Sequence, residues 1–374
     1  MSCTPSQIPA AVGSSVQEVG GVNPTRPKMR DAGYYFIGEN KHSAVKVCHY
    51  TKKAIAGEGM CYKYTFYGIR SHRCVQWTPA QPFCNHACTF CWRDLAMHAP
   101  EWKGGVDDPV ALVEGAVNAQ KFLLNGFKGD SRVTPERFAA AMEPIHTAIS
   151  LDGEPTLYPR LAELIREFHR RGITTFLVSN GTKPEAIEYL REQGALPTQL
   201  YISLPFFDRN SYQTISRPLI KDGWERVMRS LDLMRELRGE TRTVLRMTLM
   251  RGVNLSNAMD YNGLIQRSGA EYVEVKSYAA VGKSRQRVGV EKVPEQFEIK
   301  DFAQELAKES GYIYTAEHVP SRVVLLCKDE LAKSGRIIDY VKWCGEKFTR
   351  FEKSFGVKKE EYCCGSCVTE KAVA

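Results

Sequence analysis

From about residue 105 onward, short apolar runs alternate with longer amphipathic stretches. The apolar runs are His146–Leu151, Ile173–Val178, Leu200–Leu204, Thr243–Met250, Tyr272–Lys276 and Val323–Cys327. Each is strand-sized. The stretches between them carry helix punctuation. Asp107/Asp108–Pro109 starts one helix, which Gly126 ends, and Thr134–Pro135–Glu136 starts the next. Arg160–Arg171 stops at Gly172 and Pro184–Gln193 at Gly194. Asp222–Leu237, Ser256–Arg267 and Pro294–Lys308 complete the helical set. Proline at the first helical position and glycine just past the last is the expected asymmetry. Strands separated by helices predict βαβ units and a parallel sheet in an α/β fold. Such sheets place ligands at the C-terminal edge of their strands. Here that edge is Asp152–Gly153, Asn180–Gly181, Pro205 and Arg251–Gly252.

The chain has 374 residues, 43% hydrophobic and 25% charged, which is globular composition and excludes a wholly disordered protein. No apolar run approaches a bilayer-spanning helix, and no signal-peptide pattern opens the chain, so a cytoplasmic protein without membrane contact is expected. Lys and Arg exceed Asp and Glu, 51 against 43, a mild bias toward an anionic partner. The predicted organisation is a disordered leader over 1–33 and an N-terminal extension over 34–83. A catalytic core over 84–327 and a C-terminal extension and tail over 328–374 follow. In the N-terminal extension, Tyr34–Ile37 and Tyr62–Ile69 read as β-type runs.

Twelve cysteines without a secretory signal argue for metal or redox chemistry rather than disulfides. Six fall between 48 and 91. Cys84, Cys88 and Cys91 stand in the loop CNHACTFC. Three thiolates this close can hold three irons of a [4Fe–4S] cubane and leave the fourth iron open. The bland alternative is a structural zinc loop completed by His86, which sits badly inside the tight loop. Phe90 can set its ring or backbone against a purine.

This loop resembles the signature of the radical S-adenosylmethionine (SAM) superfamily. The resemblance implies a partial (β/α)6 barrel of the TIM-like kind. It also implies that SAM chelates the open iron and is cleaved to a 5′-deoxyadenosyl radical. Asp152–Gly153–Glu154–Pro155 then matches the Gly-Gly-Glu-type element that receives the SAM ammonium, with Asp152 replacing the first glycine. Asn180 and Ser203, at the next two strand ends, become ribose or carboxylate contacts. Each of these turns is commonplace alone; their order along one edge gives them weight.

Cys48, Cys61 and Cys74 stand thirteen apart, twice. No single loop has that spacing, so three separate segments must converge. Polar and cationic neighbours make these poor contexts for core thiols and good ones for thiolates. A second three-thiolate [4Fe–4S] cluster follows from this reading. Two such sets, together with CYKY, CNHACTFCWRD, ISLDGEPTLYP, VSNGTKPE and YVEVKSY, resemble the tRNA 4-demethylwyosine synthase family over about residues 34–345. The resemblance implies tRNA(Phe) bearing N1-methylguanosine and pyruvate as substrates. It implies a Schiff base between pyruvate and Lys63, two residues after Cys61. The chain resembles the short archaeal type, so a separate flavodoxin or ferredoxin is expected to donate electrons.

A tRNA enzyme needs cations near the barrel mouth. Lys283, Arg285 and Arg287 are the phosphate candidates; a solvated face is their bland reading. Cys363, Cys364 and Cys367 belong to a charged tail, and Cys3, Cys327 and Cys344 are bystanders. The competing functions are another radical SAM enzyme with an auxiliary cluster and a non-catalytic zinc-binding RNA module.

Overall fold

The computed structural model describes residues 26–346. Ten strands form one sheet: β1 Tyr35–Ile37, β2 Ser43–Val45, β3 Cys74–Thr78, β4 His146–Ile149 and β5 Thr174–Ser179, then β6 Gln199–Ser203, β7 Arg242–Leu249, β8 Tyr272–Ser277, β9 Ile313–His318 and β10 Val323–Cys327. Their order in the sheet is β1-β2-β3-β4-β5-β6-β7-β8-β10-β9. The six strands β3 to β8 run parallel, each beside its successor. Antiparallel β1 and β2 extend one end, and antiparallel β10 and β9 the other. β3 and β8 do not pair, yet Gln76 and Lys276 from these two strands line one cavity. The sheet therefore curls into a six-stranded partial barrel without hydrogen-bonded closure.

Side-chain alternation separates two apolar cores. On β7, Leu245, Met247 and Leu249 face the outer helices, packing in one cluster with Leu231, Met234 and Ile265. Val244 belongs instead to an inner cluster with Phe176, Tyr201, Tyr272 and Leu325. The helix Tyr62–Tyr67 enters that inner cluster through Tyr62, Phe66 and Tyr67 and plugs the barrel floor. Buried Glu274 on β8 anchors the plug. It accepts the Tyr62 hydroxyl at 3.0 Å and the Tyr67 hydroxyl at 2.9 Å.

The helix starts fall where the punctuation places them. Asp108 caps Pro109–Leu124 by accepting from the Val110 and Ala111 amides, and Thr134 caps Pro135–Ala141. Three sequence expectations need correction. Tyr62–Ile69 is not a β-type run: its aromatics fall at helical spacing, and Gly68 ends the helix at φ +78°. The leader does not extend to 33, because Arg26–Asp31 is helical and Met29 packs beside Tyr34 and Phe36. The extension over 34–83 is not separate from the core, since β3 is the first parallel strand of the barrel. The C-terminal extension is also tied in: Arg242 donates to the Gly335 carbonyl at 2.7 Å, and the Ile338 amide donates to Tyr67. Cys3, Cys363, Cys364 and Cys367 lie outside the described residues. No helix among the described residues is long and apolar enough to cross a membrane.

Candidate active site

Two adjoining cavities occupy the barrel. The larger, about 320 Å³, lies at the C-terminal edge of the strands and is lined by Cys84, Cys88 and Cys91. Their loop is held from both sides by backbone. The Cys84 amide donates to Ala99, the Ala87 amide to Arg217 and the Thr89 amide to Ile215. His86 is not free to complete a zinc site. Its Nε2 lies 2.9 Å from the Tyr212 hydroxyl, and burial drives its pKa down to about 3. Burial pushes the Cys84 thiol up to about 12 and Cys88 and Cys91 upward as well.

All five sequence-derived cofactor residues line this same cavity: Phe90, Gly153, Glu154, Asn180 and Ser203. Gly153 has φ +69°, and a Cβ there would sit 1.9 Å from the Ala80 carbonyl oxygen. Only glycine fits the turn. Glu154 is less available than its motif implies. It accepts from the Thr156 amide and hydroxyl, the Ser179 hydroxyl and the Asn180 amide, so it mainly fastens two strand ends together. Asn180 donates to Asn85 at 2.8 Å and thereby joins the next strand end to the cysteine loop. The Phe90 ring packs beside Ile215, Met250 and Tyr278.

Asp152 carries more than its place in the motif announces. Its buried Oδ2 accepts the Tyr34 hydroxyl at 2.9 Å and lies 3.4 Å from the Nε of Arg93. Oδ1 of Asp152 and both Nη atoms of Arg93 are buried without a hydrogen-bond partner. Both residues line the cavity. Sequence reasoning missed Arg93, although it stands two residues after the third loop cysteine.

The smaller cavity, about 240 Å³, is lined by Cys48, Cys61, Cys74 and Lys63. Cys48 immediately precedes the helix His49–Ile55, Cys61 precedes Tyr62–Tyr67, and Cys74 opens β3. The tertiary fold thus gathers the three thiols that thirteen-residue spacing separates. Burial pushes Cys61 up to about 11 and Cys74 to about 12, while the Lys63 ammonium opposes both shifts. Lys63 is 8% exposed, with its Nζ 5.0 Å from the Tyr201 ring centroid and 5.4 Å from that of Phe176. Ser150, Arg246 and Lys276 line both cavities and form the seam between them. Burial and then Arg246 lower the Lys276 ammonium to about 8.

Among the described residues, no three His, Cys, Asp or Glu side chains close on one metal ion. Both thiol sets instead line cavity walls, as donors to separate irons of one cubane would.

The three RNA candidates share one segment but not one role. Lys283 and Arg285 are exposed. Arg287 does not present a free guanidinium to phosphate: it donates to the carbonyls of Thr89, Cys91 and Arg93, bracing the cysteine loop.

Residues 78–262 match the radical SAM superfamily, and residues 267–328 match a wyosine base formation family. The SAM-dependent tRNA 4-demethylwyosine synthase of Pyrococcus abyssi is 44% identical over 84% of this chain and 92% of its own length. The chain belongs to the tRNA 4-demethylwyosine synthase family. The family member of Pyrococcus horikoshii is equally similar, at 44%. That of Oryza sativa is 39% identical, with this chain spanning 46% of its length. A solved structure of TYW1 with a lysine–pyruvate adduct bound superposes with a TM-score of 0.73. It is 36% identical over 84% of this chain and 97% of that one. An archaeal TYW1 crystal structure superposes at 0.67, with 34% identity over 84% of this chain and 98% of that one. Membership makes this chain a radical SAM enzyme of wyosine formation, which works with a [4Fe–4S] cluster and SAM.

Proposed function

We propose that this enzyme converts N1-methylguanosine-37 of tRNA(Phe), with pyruvate, to 4-demethylwyosine. The observation that carries the reading is the pair of adjoining cavities. One holds the three loop thiols, and the other holds three further thiols around a buried lysine.

The donor sets fit the groups they would hold. Three desolvated thiols in mutual repulsion need a cationic core before they ionise. Cys84, Cys88 and Cys91 would hold the SAM-binding cluster, and Cys48, Cys61 and Cys74 a second one. Unpartnered Asp152 Oδ1 suits an ammonium, and the unpartnered Arg93 Nη atoms suit a carboxylate, as the two ends of an amino acid require. The chemistry these groups supply when bound is cleavage of SAM to a 5′-deoxyadenosyl radical, which takes hydrogen from the N1-methyl group.

The chain's own residues handle the second substrate. Buried among aromatic rings and beside Arg246 and Lys276, Lys63 is placed to act as an amine nucleophile. Its nitrogen adds to C2 of pyruvate, and the carbonyl oxygen leaves as water. The methylene carbon on N1 bonds to C2, and the C1–C2 bond breaks to release the carboxylate as a carbon dioxide radical anion. The guanine N2 amine displaces the lysine amine at C2 to close the third ring, with C3 left as its methyl group. The lysine–pyruvate adduct in the related structure supports this role. Lys283 and Arg285 remain the phosphate contacts, and the methylated base flips out of its stack to reach the seam. A flavodoxin or ferredoxin supplies the electron, and the work is cytoplasmic.

The test is Lys63→Ala in the reconstituted enzyme with methylated tRNA, pyruvate, SAM and reductant. Tricyclic product should fall at least about a thousandfold, while 5′-deoxyadenosine still forms. Parent-level product in this variant would overturn the role of Lys63. A parent enzyme with no pyruvate-dependent product would overturn the function.

A further inference from the structure

We infer that Arg246, seconded by Lys276, receives the carboxylate of the keto acid at Lys63 and makes the site select 2-oxo acids over neutral ketones. This rests on the Lys63 reading. It goes beyond that reading by naming what recognises the other end of the substrate.

The argument begins with strand register. Arg246 on β7 stands opposite Glu274 on β8, and Lys276 lies two residues further along β8. Both cations therefore project from the same inner face of the barrel. Both line the 240 Å³ cavity that also holds Lys63, and both line the SAM cavity beside it. A small substrate joined covalently to Lys63 has its remaining groups inside this cavity.

The charges around Arg246 are nearly all committed elsewhere. Buried Glu274 spends one carboxylate oxygen on Tyr67 and the other on Tyr62. Lys276 Nζ donates once, to the Ser321 carbonyl at 2.9 Å, and lies 5.4 Å from the Tyr62 ring centroid. Lys63 is the nucleophile. Arg246 is different. The buried Glu274 carboxylate acts on it through charge alone, and no hydrogen bond or ion pair among the described residues engages its guanidinium. A half-buried guanidinium with unspent donors in a substrate cavity is a carboxylate receptor in search of its ligand. Three cationic side chains, Lys63, Arg246 and Lys276, line this space and no carboxylate among the described residues does, Glu274 being fully buried. A monoanion offsets part of this positive excess and a neutral ketone does not.

The test traps the Schiff base in the cluster-reconstituted protein without SAM or reductant for the clusters. Addition of the Lys63 amine to C2 expels water and leaves an imine. Cyanoborohydride then delivers hydride to the imine carbon, and water protonates the nitrogen. Mass spectrometry of the digested chain reads labelling at Lys63 with pyruvate and with pyruvamide, its neutral counterpart of like shape. The parent should favour pyruvate by about tenfold to a hundredfold, the worth of a charged hydrogen bond. Arg246→Gln should bring the ratio near one through lost pyruvate labelling, with iron content and circular dichroism unchanged. Arg246→Lys should restore much of the preference.

A ratio unchanged in R246Q, with Lys63 still labelled, overturns this inference alone. It would assign the carboxylate to the open iron of the second cluster. Equal loss of both labels in R246Q and R246K also overturns it, because the residue would then be structural. A parent labelled at no lysine, or at another one, overturns the Lys63 reading together with this one.

Discussion

The two thiol sets are assembled by opposite routes. Cys84, Cys88 and Cys91 belong to one loop, held by backbone bonds to residues 215–219 and by Arg287. Cys48, Cys61 and Cys74 come from two helix starts and a strand. The loop set depends on local geometry. The other depends on a helix staying plugged in a barrel floor. A tight loop therefore keeps its donors when the fold loosens, whereas a converged set loses them.

The largest effects would come from deleting each set. Cys84/Cys88/Cys91→Ala and Cys48/Cys61/Cys74→Ala should each lower iron from roughly eight to roughly four per chain. Both should abolish tricyclic product. Only the first should abolish 5′-deoxyadenosine, measured by chromatography. Iron falling to zero in either variant would break the view that the two sets are independent.

Gly153→Ala comes next. Its Cβ would collide with the Ala80 carbonyl at a positive φ, so the expected cost is about 3–5 kcal/mol, read by denaturant unfolding. A loss below about 1 kcal/mol would mean that the turn relaxes freely.

Glu274→Gln sharpens the comparison most directly. It weakens the hold on Tyr62 and Tyr67 by about 1–3 kcal/mol. A chelator should then strip iron from the Cys48/Cys61/Cys74 set faster than from the loop set. Equal stripping rates would show that the plug does not govern the converged site.

The smallest effect is a pH slope. His42 is fully buried, with Nδ1 2.7 Å from the Pro79 carbonyl and Nε2 accepting from the Asp107 amide at 3.1 Å. Burial lowers its pKa even though Asp107 opposes the shift. The unfolded chain then takes up this proton first as pH falls. Stability present above about pH 6.5 is lost as acid is added below it. His42→Gln should flatten part of the fall in melting temperature between about pH 7.5 and 5.5. An unchanged slope would show that other buried histidines carry all of it.

Much of this molecule was legible in the chain. Alternating apolar runs gave the parallel strands, because burial on both faces demands them. The spacing of Cys84, Cys88 and Cys91 marked a cluster loop, since neighbours in a short loop stay neighbours when folded. Less legible was anything that depends on distant segments meeting. Aromatic composition around Tyr62–Ile69 suited a strand, although the helical spacing of Tyr62, Phe66 and Tyr67 and the stop at Gly68 carried the helix signal, and the fold then buried that face inside the barrel. Arg287 looked like a phosphate contact until the loop carbonyls it binds were in view. Arg93 lay inside CNHACTFCWRD with no role marked by the motif, and Arg246 carried no motif at all.

Sequence alone determined the fold class, the loop that carries Cys84, Cys88 and Cys91 and the strand ends, because each is set by local spacing or period, while Lys63 was singled out by family resemblance. The tertiary structure alone decided three further things. It gathered Cys48, Cys61 and Cys74, left the donors of Arg93 and Arg246 unspent, and joined the two cavities at Ser150, Arg246 and Lys276. A curled sheet sets residues from its two ends face to face, and no pattern along one strand records which residue will stand opposite.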